Sequence, residues 1–262
     1  MTANDILFHP SALGKIMSGV KKGWPVEKSI TCQKELVKMF RNSIYGRDYS
    51  FTGERTEKGI YQEEDAITLF SRVKRKRYTK NTQRLANDYF TGEFDLINAD
   101  ETVDIKCPWN LNTFPHPAVD EADEDYVYQG LAYNDLTGKR RHIIAYCLVN
   151  APFFMVLKEQ EKLFYSMGSP DIDSPHFERY LRQKAEVEKN MIFDYDQFLR
   201  DNSNYDFICS KEQIDIPMQD RVVEYVSDFS ESRLSEIKSR IDECREWMNA
   251  NLFKLNETIP IV

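Results

Sequence analysis

Residues 91–108 read TGEFDLINADETVDIKCP, and the fold turns on how this stretch divides. Asn98-Ala99-Asp100-Glu101 has the composition of a turn, with strand-like runs on either side at 88–98 and 102–107. Side chains of a strand alternate between its faces. In the second run Val103, Ile105 and Cys107 share one face, and Asp104 and Lys106 take the other. In the first run Phe94 and Leu96 lie opposite Glu93, Asp95 and Ile97. A turn at 98–101 pairs Ile97 with Thr102 and sets Asp95 directly across from Asp104. Facing positions have Cβ atoms about 5 Å apart, where like charges repel. Two readings follow. Either the charged face is wetted, as on many antiparallel sheets, or a hard divalent cation with oxygen ligands holds the carboxylates together beside Lys106. A slip of one residue in register would separate the pair.

Upstream, residues 57–70 have a helical pattern in which Ile60, Ala66, Ile67 and Phe70 form an apolar stripe at about 100° per residue. Glu63 falls near the centre of that stripe and Glu64 about a quarter turn away. A buried, unpaired carboxylate is costly. Glu63 is therefore expected to ligate a metal, directly or through water, or to pair with Lys106; otherwise it sits at the stripe's edge and reaches solvent. Downstream, Pro108, Pro115 and Pro117 mark a loop, and an acidic helix at 123–136 stops at Gly138. Residues 141–149 read as a buried strand. Residues 153–202 are mostly helical, 221–226 is a further strand, and 231–251 is a helix with a stripe of Leu234, Ile237, Ile241, Cys244, Trp247 and Met248. At the other end, 11–49 reads as helices broken by Gly19, Gly23 and Pro25, with Ser11 as N-cap of a helix over 12–20. The order helix, strand, strand, helix, strand, with helical additions at both ends, predicts an α/β (α+β) fold with a small mixed sheet. One domain is expected over 1–262: an N-terminal helical segment to 55, a core over 56–150, and a mostly helical region with one added strand over 151–262.

The composition bounds the function. A hydrophobic share of 41% in 262 residues supports a real core and excludes wholesale disorder. The longest apolar run, 143–149, is far short of a membrane span, and residues 1–10 lack a secretory pattern, so a cytoplasmic protein with no membrane partner is expected. No strand is followed by a Gly-rich phosphate loop, which leaves dinucleotide and P-loop chemistry without support. Cys32, Cys107, Cys147, Cys209 and Cys244 are scattered and form no CxxC, which favours reduced thiols over disulfides or structural zinc. The histidines at 9, 116, 142 and 176 show no metal-ligand spacing. A net charge of -8 argues against non-specific coating of nucleic acid, but is compatible with a carboxylate site flanked by a local basic stripe. Lys74, Arg75, Lys76 and Arg77, with Arg72, Lys80 and Arg84, form such a stripe, and Tyr78 within it is placed to stack on a base. The alternative is an ordinary solvated face.

Asp95 followed by Asp104-Ile105-Lys106 resembles the D…(D/E)xK signature of the PD-(D/E)XK nuclease superfamily. Gly59-Ile60-Tyr61-Gln62-Glu63 is similar to the GxxxE helix motif of its phage lambda exonuclease-like branch, and Gln129-Gly130-Leu131-Ala132-Tyr133 to the QxxxY motif on the helix after the signature strand. Pro10-Ser11-Ala12-Leu13-Gly14 resembles the N-terminal segment of viral recombinase exonucleases of that branch, and the region from Arg221 onward resembles their C-terminal ends. The detailed resemblance spans about 55–150. It departs in two places: Glu93-Phe94 stands where a proline usually precedes the first aspartate, and the second acid is Asp104 rather than the commoner glutamate.

The resemblance implies a restriction-endonuclease-like core and one or two Mg2+ or Mn2+ ions held by Glu63, Asp95, Asp104 and the Ile105 backbone carbonyl. It implies that Lys106 positions or activates a water or stabilises the phosphate, with neutralisation of the carboxylates as its plainer role. Gln129 and Tyr133 would orient Lys106 and the water or touch the DNA backbone. Lys74, Arg75, Lys76, Arg77, Lys80, Arg84 and Ser11 become DNA contacts, and Arg47 or Arg55 a 5′-phosphate contact. The implied activity is exonuclease action on ends of linear double-stranded DNA, 5′ to 3′, in phage-type recombination in a bacterial or phage setting. A single-strand annealing protein is the implied partner, and ring-forming relatives point to a homo-oligomer. The cysteines are too dispersed for the iron–sulfur cluster of some related nucleases, so none is expected. Two alternatives stay open: a structure-specific or repair endonuclease on the same fold, and a non-catalytic DNA-binding scaffold.

Overall fold

Asn98 closes the turn that the sequence places at 98–101. Its side-chain oxygen accepts from the amides of Asp100 (2.8 Å) and Glu101 (3.2 Å), and its amide nitrogen donates to Glu101 Oε1 at 2.9 Å. These local bonds satisfy the backbone where the chain reverses. The flanking strands then pair Ile97 with Thr102 and Leu96 with Val103, in the expected register.

The structure is a computed structural model describing residues 2–47, 53–78 and 80–253. In chain order its helices and strands are α1 (Leu13–Ile16), α2 (Ile30–Tyr45), α3 (Glu54–Lys74), β1 (Leu85–Ala86), β2 (Thr91–Gly92), β3 (Leu96–Ile97), β4 (Glu101–Lys106), α4 (Glu124–Thr137), β5 (Arg141–Cys147), α5 (Phe153–Ser166), α6 (Phe177–Met191), α7 (Tyr195–Asp201), α8 (Lys211–Ile214), β6 (Val222–Asp228) and α9 (Glu231–Met248). Short 3-10 turns join several of them. The main sheet has the order β3-β4-β5-β6, with β4 and β5 parallel and the outer pairs antiparallel. A parallel pair needs a crossover, and α4 supplies it. This is the mixed α/β arrangement the sequence predicts.

Both faces of the sheet are covered, and the alternation of β4 and β5 shows how. Val103, Ile105, Ile143, Ala145 and Cys147 pack with Ala66, Ile67, Leu69 and Phe70 of α3. On the other side Ile144 packs with Val127, Tyr128, Leu131 and Ala132 of α4. Gly130 permits this close approach: a Cβ there would lie 2.3 Å from the ring of His142 on β5. His142 is fully buried, with its Nδ1 2.8 Å from the Thr102 hydroxyl. The face carrying Asp104 is therefore covered by α4 rather than open to solvent, which overturns the wetted-sheet reading.

Several expected elements differ. The run 88–98 is interrupted, because Asn87 Oδ1 accepts from the amides of Tyr89 and Phe90 and turns the chain between β1 and β2. Helix α3 extends a turn past the expected end, to a C-cap at Arg75 with a left-handed φ of 52°. Ser11 caps no helix: it lies inside the 3-10 turn Pro10–Ala12, and α1 ends long before residue 20, with Gly19 at φ 89°. The final helix is capped by Ser230, whose hydroxyl accepts from the Arg233 amide.

The first and last segments are bound to each other. Two buried arginines of α9 donate to carbonyls of the N-terminal third: Arg240 to Ile16 and Trp24, Arg245 to Ile6 and Asp88. A further apolar cluster, containing Met155, Val156, Met191, Ile192, Phe198 and Ile214, holds α5 to α8 together. Among the described residues no helix is long and apolar enough to cross a membrane.

Candidate active site

The ladder between β3 and β4 stops at Leu96, and the Asp95 side chain takes over. Its Oδ2 accepts from the Ile105 amide at 2.6 Å. This brings Asp95 alongside Asp104, which is 3% exposed beneath α4. Gln129 on α4 donates through Nε2 to Asp104 Oδ1 at 3.1 Å. Asp104 Oδ2 lies 2.5 Å from Lys106 Nζ as a charge contact, yet this buried oxygen makes no directed hydrogen bond. Lys106 Nζ is also 4.1 Å from the ring centroid of Tyr126. Helix α4 thus supplies Tyr126, Gln129 and Tyr133, at i, i+3 and i+7, to one side of the carboxylate pair.

The electrostatics reflect crowding. Burial, and then repulsion from Asp104, push the Asp95 carboxyl up to about 7, against the opposing pull of the Ile105 amide and Lys106. Burial works against the charge on Lys106, but the Asp104 carboxylate more than offsets it and holds the ammonium above its ordinary range. One ammonium faces the buried Asp104 carboxylate and the half-buried Asp95 carboxylate beside it.

These groups line a cavity of about 580 Å3 together with Glu63, Gly59, Ile60, Ile105, Trp109, Thr113, Tyr133 and Tyr146. Glu63 faces this cavity but does not pair with Lys106. It is bound to Lys80 at 2.5 Å. The reason lies in the helix: Ile60 is 63% exposed, so the buried stripe of α3 begins at Ala66 and Glu63 sits above it. Among the described residues no group of three or more His, Cys, Asp or Glu converges as a metal site would require. The fit to a divalent ion rests instead on the Asp95–Asp104 pair, hard oxygen donors whose two carboxylates face a single ammonium. Those features suit such a cation.

Gln129 and Tyr133 come together as expected, with 3.3 Å between Gln129 Nε2 and the Tyr133 hydroxyl. Their targets differ from the expectation: Gln129 engages Asp104 rather than Lys106, and Tyr133 donates to the Glu93 carbonyl at 2.9 Å. Both are buried, so Tyr133 is a packed residue that also borders the cavity. Gly92 allows the fit, since a Cβ there would meet Pro10 at 2.8 Å and Tyr133 at 3.0 Å. The Pro10–Ala12 turn is therefore lodged beside the site, with Ser11 on its exposed side.

The basic stripe is only partly available. Arg72, Arg75, Lys76, Arg77 and Lys80 line a groove of about 650 Å3 at the end of α3. Lys80 also reaches Glu63, so this groove abuts the carboxylate cavity. Lys74 is turned away to Glu224 at 3.0 Å, and Arg84 lies 3.8 Å from Glu93. Tyr78 is not free to stack on a base. It is buried against Phe70, with ring centroids 4.9 Å apart. Arg47 lines a separate groove on α2, and the side chain of Arg55 lies outside the described residues.

Two residues escaped the sequence reading. Tyr126 precedes Gln129 by three positions on the same helix face, a spacing that could have revealed it. Lys58 gave no signal. It is fully buried on α3, donating to the carbonyls of Pro108 (2.7 Å) and Trp109 (3.1 Å), and so moors the loop after β4 to the helix. Burial lowers its ammonium pKa to about 8.

No family model matches the sequence, and no curated protein does. Solved structures do match. A phage-related exonuclease from Haemophilus somnus 129PT superposes with a TM-score of 0.65 at 20% identity, over 95% of this chain and 96% of its own. An alkaline exonuclease from Laribacter hongkongensis gives 0.58 at 10% identity over 98% and 94%, and its complex with dAMP gives 0.56 at 11% over the same shares. The likeness is one of fold. It runs through nearly the whole chain, including the helical additions at both ends.

Proposed function

We propose that the protein is a metal-dependent DNA exonuclease of the lambda-exonuclease-like kind, one nuclease domain that degrades a strand of linear duplex DNA from its 5′ end in phage-type recombination. The observation that carries this reading is the pair Asp95–Asp104 with Lys106 beside it, buried at the edge of a sheet in a fold shared with two bacterial exonucleases. A sheet-edge pair of carboxylates with one lysine has no packing advantage, since burying like charges is costly. It makes sense as a place where a phosphodiester is cut.

In this mechanism Asp95, Asp104 and the Ile105 carbonyl would hold a divalent cation, with Glu63 as a further ligand if released from Lys80. That cation, Mg2+ or Mn2+, would supply Lewis acidity to the site. Gln129 fixes the rotamer of Asp104 by its 3.1 Å bond. Lys106 places a charged donor at the mouth of the pair, where it orients water and stabilises charge growing on the phosphate. Tyr126 sits under the ammonium and limits its positions. Arg75, Lys76 and Arg77 run from the cavity along the adjoining groove and take the DNA backbone, whose phosphates they would neutralise locally in an otherwise acidic protein.

The test uses purified protein with Mg2+ or Mn2+, a chelator control and Lys106→Ala. Substrates are linear duplex with a 5′-phosphate, the same duplex with a 5′-hydroxyl, and covalently closed circles. Mononucleotides released only from phosphorylated linear DNA, and lost in Lys106→Ala, are expected. Cutting of closed circles would convert the reading to an endonuclease, and absence of metal-dependent cleavage would end it.

A further inference from the structure

A second groove, about 820 Å3 in volume, runs along the outer face of α2. Its lining includes Lys34, Lys38, Arg41 and Arg47, with Tyr45 and, from α9, Trp247. The helix is amphipathic in an unusual way. Cys32, Leu36, Met39 and Phe40 face the core, and the helix's only acid, Glu35, is turned inward and bound to Lys15 at 2.8 Å. The outer face keeps cations one turn apart with no carboxylate among them. Several surface lysines elsewhere are matched to acids, Lys158 and Lys162 to Glu54, Lys189 to Glu186, Lys211 to Asp196, while others such as Lys76 and Lys184 are not. None of the four groove cations has an ion pair among the described residues. Alongside them Tyr45 is 63% exposed and Ile30 67%.

In a chain of net charge -8, an acid-free row of four cations is a local reversal of the field. Interleaving it with exposed apolar and aromatic surface selects among anions. Duplex DNA presents its backbone and hides the faces of its bases, so it leaves Tyr45 and Trp247 unused. A single strand offers a phosphate and an open base face in every unit, which matches a row of cations flanked by the exposed Tyr45 ring and the half-buried Trp247 ring. An acidic peptide matches the charge but brings no repeating flat faces.

We infer that the α2 groove binds single-stranded DNA, the strand that survives when its complement is degraded. The occasion for such binding rests on the nuclease reading above; the binding itself does not. No groove residue named here lines the carboxylate cavity.

The test measures fluorescence anisotropy of labelled oligo(dT) with the full-length protein, in chelator and across a salt series. The comparison proteins are the triple variant Lys34→Glu, Lys38→Glu, Arg41→Glu and the single variant Tyr45→Ala. Circular dichroism and cleavage of a short duplex in Mg2+ serve as controls for both. We expect the triple variant to lose at least tenfold in affinity and its log–log salt slope to flatten by about 2. Tyr45→Ala should lose about fivefold or more with the slope unchanged. Equal binding by wild type and a folded triple variant overturns the inference. So does an acidic, phenylalanine-containing peptide that binds the groove more tightly than oligo(dT), which would make it a protein-docking surface. Wild-type protein that binds oligo(dT) through the groove but cuts no duplex in either metal would sink the nuclease reading and leave this one standing.

Discussion

The Asp95 carboxylate accepts the Ile105 amide at 2.6 Å, in the place where a strand carbonyl would continue the ladder. Backbone pairing brings the chain as far as Leu96 opposite Val103, and a side chain completes the next bond. The substitution fixes a charged group next to Asp104 with the precision of a sheet. It also sets two like charges, one buried and one half-buried, beside one ammonium. On the proposed nuclease reading, function and stability are set against each other at this point.

Asp95→Asn should therefore separate the two. Asparagine keeps the oxygen that accepts from Ile105 and removes one buried charge. Without metal, the variant is expected to melt several degrees above the parent, a gain of about 1–2 kcal/mol. Nuclease activity should fall by about 10^3-fold, as expected for loss of an interaction worth several kcal/mol at the transition state. Thermal melts in chelator and duplex cleavage in Mg2+ check both halves. An unchanged or lower melting temperature would contradict the account of Asp95.

On the same reading, Gln129 would act through Asp104, to which it donates at 3.1 Å. Gln129→Ala leaves the carboxylate free to rotate, and loss of such a supporting bond typically costs about 10–100-fold in metal affinity or activity. The expected signature is a cleavage curve displaced to higher Mg2+ concentration that recovers at saturation. A fall in the plateau alone, with an unshifted midpoint, would assign Gln129 to the substrate instead.

Gly130→Ala tests the packing of α4 on the sheet. The new methyl would lie 2.3 Å from the His142 ring, which is itself buried and bonded to Thr102, so neither side can yield cheaply. Overpacking of this kind costs about 1–3 kcal/mol. Urea denaturation should show a lower midpoint with an unchanged slope.

His142 gives the fold a pH dependence. Burial lowers its pKa from 6.5 to about 4. Below pH 6.5 the unfolded chain takes up a proton that the folded chain refuses, so stability is full above that value and is lost between pH 6.5 and 4. The loss across the window is on the order of 3 kcal/mol. Denaturation of the parent and of His142→Asn at pH 7 and pH 5 isolates the contribution. The variant should lose less over that interval, and parallel losses would refute the assignment.

What could be read in advance was whatever depends on alternation and local turn chemistry. Asn98-Ala99-Asp100-Glu101 determined the turn, the turn determined the register, and the register set Asp95 beside Asp104. The acidic helix and its stop at Gly138 followed from capping preferences. What could not be read was burial by distant segments. Nothing within 102–107 says that α4 will cover the charged face, because the cover comes from the crossover to β5. The same holds for Tyr78, buried by Phe70 although it lies among cations, and for Lys58, whose partners are carbonyls fifty residues away. Glu63 proved to lie at the edge of the buried stripe, the second of its two readings, because Ile60 is exposed; an isoleucine at a cavity mouth has the same spacing as one beneath a sheet.

The guanidinium groups of Arg240 and Arg245 have a consequence for how the chain is made. They complete carbonyls at positions 6, 16, 24 and 88, and the cluster they close joins Phe8, Leu13 and Leu36 to Leu234, Ile241 and Met248. A chain emerging from the ribosome at about 5–20 residues per second therefore carries its first segment unsealed for ten seconds or more, until α9 is out. Val127, Tyr128, Leu131 and Ala132 of α4 belong to the same cluster, so the helix that backs the carboxylate cavity is not fully packed until α9 arrives. Translation that halts before α9 would release a chain with this apolar flank open, a target for proteases and chaperones.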